Sequence, residues 1–175
     1  MKWLCCSTSA SFLIPAFILA SFFHPSVSTW IIGLFGGLLW ANWFEYAYHR
    51  WADHKPGSYF EKEHRKHHAR PEDEEHVNLG GGPALTAGMF IVNGLPVVLA
   101  DLWFQIGFSA PVLVAFVIYV LAMEETHWRV HMGGWIPKWV LDYHLSHHAL
   151  GEEPTGGQTK FNIFVPLFDW VFGTM

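Results

Sequence analysis

Ten of the chain's twelve histidines fall within two windows, Tyr48 to His68 and His127 to His148. They form four clusters: His49 and His54; His64, His67 and His68; His127 and His131; and His144, His147 and His148. On an α-helix, residues three and four apart share a face, so the imidazoles of HRKHH, HWRVH and HLSHH can converge. The pair in HRWADH is five apart and lies about 140° off one α-helical face, which points to a bend or to an ion bracketed from two sides. Neutral imidazole suits iron, zinc, copper and nickel, and no cysteine stands near these clusters to make a thiolate site. A structural zinc takes about four ligands, so ten imidazoles exceed one ion and imply a two-metal centre with roughly four or five nitrogens on each.

Carboxylates precede two of the clusters. Glu45 stands four residues before His49, and Glu124 and Glu125 stand three and two before His127. Each is a candidate to accept the second ring N–H of a ligand histidine and so fix its tautomer. Salt bridging to Arg50 or Arg129 is the competing role. Asp53 and Asp142 read as surface residues, the acidic run Glu72 to Glu75 as a solvated cap or loop, and His24 and His76 stand outside the metal set. Gly80 to Gly82 lack the strand and lysine of a phosphate-binding loop.

The elements that must carry these clusters are apolar. Half of the chain is hydrophobic and 14% is charged, against about 25% charged in soluble proteins. Four runs lack Asp, Glu, Lys and Arg: 3–23, 27–44, 83–100 and 102–123. About 20 residues span the hydrocarbon of a bilayer, so each run qualifies. The expected fold is all-α: an integral membrane protein of four transmembrane helices in two hairpins, with turns near His24 to Ser26 and at Asp101. A helical cap carries the metal-binding segments 45–78 and 124–175, and residues 1–175 make a single domain. Lys2 precedes the first span, and the other nine Lys and Arg lie between Arg50 and Arg70 or between Arg129 and Lys160. The positive-inside rule therefore puts both termini and the metal segments in the cytosol. The net charge of −5 argues against nucleic acid.

Several features have ordinary readings. The first run, with Lys2 ahead of it, also resembles a cleaved signal peptide, although the following spans would keep their orientation. Cys5 and Cys6 are expected to pack in the first span. Pro15 and Pro96 are tolerable in membrane helices, and Gly33 with Gly37 form a GxxxG step suited to close helix contact within the molecule, or to a dimer. Trp40, Trp43, Trp51, Trp128, Trp135 and Trp139 fall near the expected interface, where indoles anchor.

The series EYxxHRxxxH from Glu45, HxxHH from His64, ExxHxxxH from Glu124, YHLxHH from Tyr143 and PLFDWVFGT from Pro166 resembles the fatty acid hydroxylase superfamily. That superfamily takes in fatty acid 2-hydroxylases, sterol desaturase-type oxidases and carotenoid hydroxylases, and the resemblance covers roughly Glu45 to Thr174. It implies a membrane enzyme with a di-iron centre, zinc being the alternative ion in isolated protein, that uses O2 and two electrons to hydroxylate or desaturate a lipid. Carried over residue by residue, His49, His54, His64, His67, His68, His127, His131, His144, His147 and His148 are the implied metal ligands. A fatty acyl substrate is expected first, then a sterol or carotenoid. Electrons are expected from a separate donor such as cytochrome b5 or a ferredoxin. The chain departs from many members at Asn162, Phe164 and Phe168, where a glycine, a threonine and a tryptophan are usual, and between His54 and His64, where the spacer is shorter than in fungal 2-hydroxylases. A metal transporter or haem protein would place its ligands within the spans, which are nearly bare of polar groups. A structural zinc protein is the other alternative.

Overall fold

The computed structural model describes residues 2–73, 82–150 and 159–175. Part of the acidic run, His76, and Gly80 and Gly81 lie outside the described residues. The described chain is helical without strands: α1 Lys2–Ser11, α2 Leu13–Phe23, α3 Val27–Tyr48, a π-helical turn His49–Asp53, α4 Tyr59–Ala69, α5 Gly82–Phe104, α6 Ser109–Met132, α7 Lys138–Leu150 and α8 Leu167–Phe172. Four helical stretches are long and apolar enough to cross a membrane: Lys2–Phe23, Val27–Asp53, Gly82–Phe104 and Ser109–Met132.

Two of these differ in detail from the sequence expectation. The first is divided at Phe12, because Pro15 has no N–H to donate to the Ser11 carbonyl and its ring crowds that position. Pro96, by contrast, stays inside continuous α5. The turn expected at Asp101 falls later, after Phe104, and Asp101 itself is buried inside α5. Its carboxylate reaches across the turn and accepts from the backbone N–H groups of Gly107 at 3.0 Å, Phe108 at 3.0 Å and Ser109 at 2.5 Å. A buried carboxylate is thus satisfied by the donors that the start of α6 leaves without helical partners.

The chain divides into two compact units. One comprises Trp3–Ala41 and Gly82–Leu121. Within it α6 is the enclosed helix, with 61% of its apolar window buried against 17–28% for the other three. Phe12 stacks on Phe90 at 4.5 Å between centroids. The GxxxG step makes an intramolecular contact with α6: a Cβ on Gly33 would fall 2.5 Å from Pro111 Cγ, and one on Gly37 would fall 2.7 Å from Ala115 Cβ and 3.0 Å from the Val112 backbone. Buried Asn93 accepts from Trp40 Nε1 at 3.1 Å and donates to the Met89 carbonyl at 2.8 Å, so its polarity is internally satisfied. Ile14, Phe17, Ile31, Phe35, Val92 and Leu99 are more than half exposed, a surface suited to lipid rather than water.

The other unit comprises Lys2 and the segments that begin at Asn42 and at Ala122. It holds the π-helical turn, α4, the end of α6, α7 and the tail with α8. Tyr46, fully buried, stacks on Phe172 at 5.2 Å and meets Phe161 edge-on at 5.7 Å. Asp169, equally buried, accepts from the N–H of Phe161 at 2.8 Å, the N–H of Asn162 at 2.6 Å and the Thr174 hydroxyl at 2.7 Å. The tail is thereby buckled onto itself around one carboxylate.

Candidate metal centre

Local geometry decides where each histidine lands. A π-helix bonds residues five apart, so the turn His49–Asp53 removes the offset an α-helix would impose on His49 and His54. Their rings stack at 5.0 Å. Past that turn Gly57 takes a positive φ of 79°, and Ser58 caps α4 by accepting from the Glu61 N–H at 2.9 Å. Helix α4 can therefore start again in a new direction, carrying His64, His67 and His68.

The ten histidines assemble into two groups of five, within each of which the ligand atoms lie within 4.8 Å of one another. The first group is His49, His54, His64, His68 and His147; the second is His67, His127, His131, His144 and His148. Clusters contiguous in sequence are thus divided. On α4 the i,i+4 pair His64 and His68 goes to one group and His67 to the other, while on α7 the pair His144 and His148 goes to the second group and His147 to the first. The i,i+4 partners differ by only about 40° around a helix axis, whereas the i+3 residue lies about 60° to the other side.

The Nε2 atoms face inward. His64 Nε2 lies 3.0 Å from that of His49 and 2.8 Å from that of His68, and His54 and His147 are 3.3 Å apart. In the second group His144 Nε2 lies 2.9 Å from that of His131 and 3.0 Å from that of His148, with His67 and His127 at 3.1 Å. One proton on His64 or His144 can serve only one of its two contacts, so hydrogen bonding alone leaves lone pairs opposed. Nitrogens about 2.1 Å from a shared ion stand about 3 Å apart, the separation seen here. The donor set fits a cation in each group.

Two rings have their tautomer fixed from behind. His49 Nδ1 donates to the Phe161 carbonyl and His147 Nδ1 to the Thr159 carbonyl, the latter at 2.8 Å. With the proton on Nδ1, Nε2 keeps its lone pair for a metal. Burial, followed by the neighbouring imidazole of His147, pushes His54 down to about 3. Burial, followed by the facing imidazole of His148 or His131, holds His68 and His148 at about 2. His64, His67 and His144 are likewise held well below 6.5, chiefly by burial. All six therefore stay neutral at physiological pH, the state in which imidazole ligates.

The carboxylates take different roles. The second nitrogen of His49 is taken by the Phe161 carbonyl, and Glu45 instead accepts from Asn162 Nδ2 at 2.8 Å and the Ile163 N–H at 2.7 Å, stitching the tail to α3. Glu125 takes the salt-bridging role, accepting from Arg129 Nε and Lys2 Nζ at 2.6 Å each. Glu124 is buried on α6 ahead of His127. Asp142 pairs with Lys138 at the surface as expected, while Asp53 is half-buried at the end of the π-helical turn.

Residues that sequence reasoning passed over are the ones behind the clustered histidines. Thr159 and Phe161 act through carbonyls, which carry no side-chain signature. Asn162 is fully buried and also donates to the Asn42 carbonyl at 3.1 Å. Its place in the tail, where the resembled sequences carry glycine, is the one signal of it visible in the chain. The model of the family described as fatty acid hydroxylase matches residues 34–174. No curated protein and no solved structure matches the chain.

Proposed function

The chain belongs to the fatty acid hydroxylase family, and on that premise we propose that it is a membrane-bound di-iron oxygenase that uses O2 and two electrons to hydroxylate a fatty acyl chain. Membership points to membrane lipid hydroxylation or desaturation. The observation that carries the finer reading is the pair of five-imidazole groups with inward-facing nitrogens. All ten histidines serve as ligands in this reading, one group to each iron.

Bound iron would supply the redox chemistry that splits O2 and breaks an unactivated C–H bond. The chain's own residues do the rest. Buried neutral imidazoles offer lone pairs without bringing protons, and the Thr159 and Phe161 carbonyls hold His147 and His49 in the tautomer that presents Nε2. Four apolar helices of membrane-crossing length keep the enzyme in the phase where an acyl chain resides. By the positive-inside rule both termini and the metal segments face the cytosol, where a donor such as cytochrome b5 or a ferredoxin delivers electrons. Residues 1–175 act as one functional domain.

Mass spectrometry of lipids from a host expressing the chain, against the same host expressing His147→Ala, tests this. An acyl lipid heavier by one oxygen, present only with the unaltered chain, is expected. Loss of two hydrogens would make it a desaturase, and an oxidised sterol or carotenoid would reassign the substrate. Identical lipid profiles across hosts supplied with iron would overturn the oxygenase reading.

A further inference from the structure

Among the described residues neither group of five includes a carboxylate, and Glu45, the one expected behind His49, binds the tail instead. A carboxylate does stand behind His49, at one remove. The Phe161 carbonyl, which accepts from His49 Nδ1, and the N–H of Asn162 belong to the same peptide unit. A trans peptide points these two groups in opposite directions across one conjugated plane. The N–H side ends on Asp169, whose Oδ2 accepts it at 2.6 Å. Asp169, Asn162 and His49 are all buried.

The order is therefore carboxylate, amide, imidazole. In a buried chain of hydrogen bonds each member polarises the next. The charge of Asp169 draws the amide proton, electron density moves onto the Phe161 oxygen, and that oxygen pulls the Nδ1 proton of His49, which makes Nε2 the more basic. Glu45 is not placed to do this. Its Oε1 accepts from the N–H of Ile163, which belongs to the next peptide, and its Oε2 accepts from the Asn162 side chain. The other oxygen of Asp169 accepts from the Phe161 N–H at 2.8 Å and the Thr174 hydroxyl at 2.7 Å, bonds that close the tail on itself.

We propose that Asp169 is a positioning residue that acts on His49 through the Phe161–Asn162 peptide and serves as the carboxylate of that metal position. The proposal rests on the two-metal reading above. Loss of a partner directly behind a ligand histidine costs about 10–100-fold in metal affinity, so a carboxylate one peptide further back is expected at the lower end, about tenfold.

Zinc supplies the readout, because it needs no turnover. Full-length protein in detergent, with asparagine alone carrying heavy nitrogen, is loaded with Zn(II), its metal content measured, and the ions withdrawn with increasing chelator. The chain has four asparagines, so the Asn162 amide is assigned as the backbone signal that Asn162→Ala lacks. Polarisation runs both ways along the chain of bonds. An ion on His49 Nε2 should therefore strengthen the bond from Nδ1 to the carbonyl and move the Asn162 amide proton downfield. Asp169→Asn should abolish that zinc-dependent shift and weaken retention of one of the two ions about tenfold. Thr174→Val removes a hydroxyl that Asp169 binds but leaves the peptide path whole, and should release zinc as the unaltered chain does.

An Asn162 amide unmoved by saturating zinc overturns the proposal, as does unchanged zinc release from Asp169→Asn. Equal loosening by Asp169→Asn and Thr174→Val also overturns it, since the carboxylate would then be only a fastener of the tail. Should Asp169→Asn fail to fold, the amide shift in the unaltered chain decides. Binding of fewer than two ions overturns the two-metal reading itself, whereas two ions bound with the Asn162 amide unmoved overturn only the role of Asp169.

Discussion

His64 and His144 each place one nitrogen within about 3 Å of two neighbouring imidazoles, so removing either ring opens the middle of a group rather than its edge. His64→Ala and His144→Ala are each expected to cost at least one of two metal equivalents and to abolish lipid oxidation, as read by elemental analysis and product formation. Asn162 works at one remove. Asn162→Ala would take a donor from the buried Glu45 carboxylate, at a cost of about 1–3 kcal/mol for an imperfectly satisfied buried group. Thermal unfolding in detergent measures it. The neutral histidines also predict a pH dependence. His54, His68 and His148 have folded values depressed to about 2 or 3 from 6.5, so the unfolded chain takes up protons near pH 6.5 that the metal-free folded chain refuses. Their contribution is complete above 6.5 and declines as pH falls toward the folded values. The melting temperature of metal-free protein should therefore drop between pH 7.5 and 5; a flat profile over that interval would contradict the burial of these rings.

At the level of helices, spacing in the chain foretold much and left specific things out. The four charge-free runs and the 3- and 4-residue histidine intervals are local patterns, so the spans and the inward faces of α4 and α7 could be read directly. The π-helical turn at His49–Asp53 could not, because its hydrogen bonding depends on what the following segment packs against rather than on composition. The position of the second turn was missed for a related reason: Asp101 looks like a loop residue until three backbone donors arrive from beyond Phe104 to satisfy it. Asp101→Ala removes a charged acceptor from three donors, each such bond being worth about 1.5–3 kcal/mol, and should lower thermal stability more than Asp142→Ala at an exposed pair. The GxxxG contact offers a second check. Gly37→Val would drive a branched side chain against Ala115 and the Val112 backbone, an overpacking that costs about 1–3 kcal/mol or more.

For the whole molecule the proposed topology predicts which face each surface position meets. With Cys5 and Cys6 changed to serine, Lys62→Cys and Lys138→Cys should react with a membrane-impermeant maleimide from the cytosolic side, and Gln105→Cys from the opposite side. Labelling of Lys62→Cys and Lys138→Cys from different faces would break the proposed topology. Helices α4 and α7 each contribute to both groups of five, and this sharing has a mechanical result. The distance between the two groups is graduated by the peptide itself, since His64 and His67, or His144 and His147, are notches cut on the same rod. One alanine inserted between Arg65 and Lys66 would rotate the later notches by roughly 100° and spoil both positions together. The gauge between the two groups of imidazoles is thus locked to the pitch of a helix.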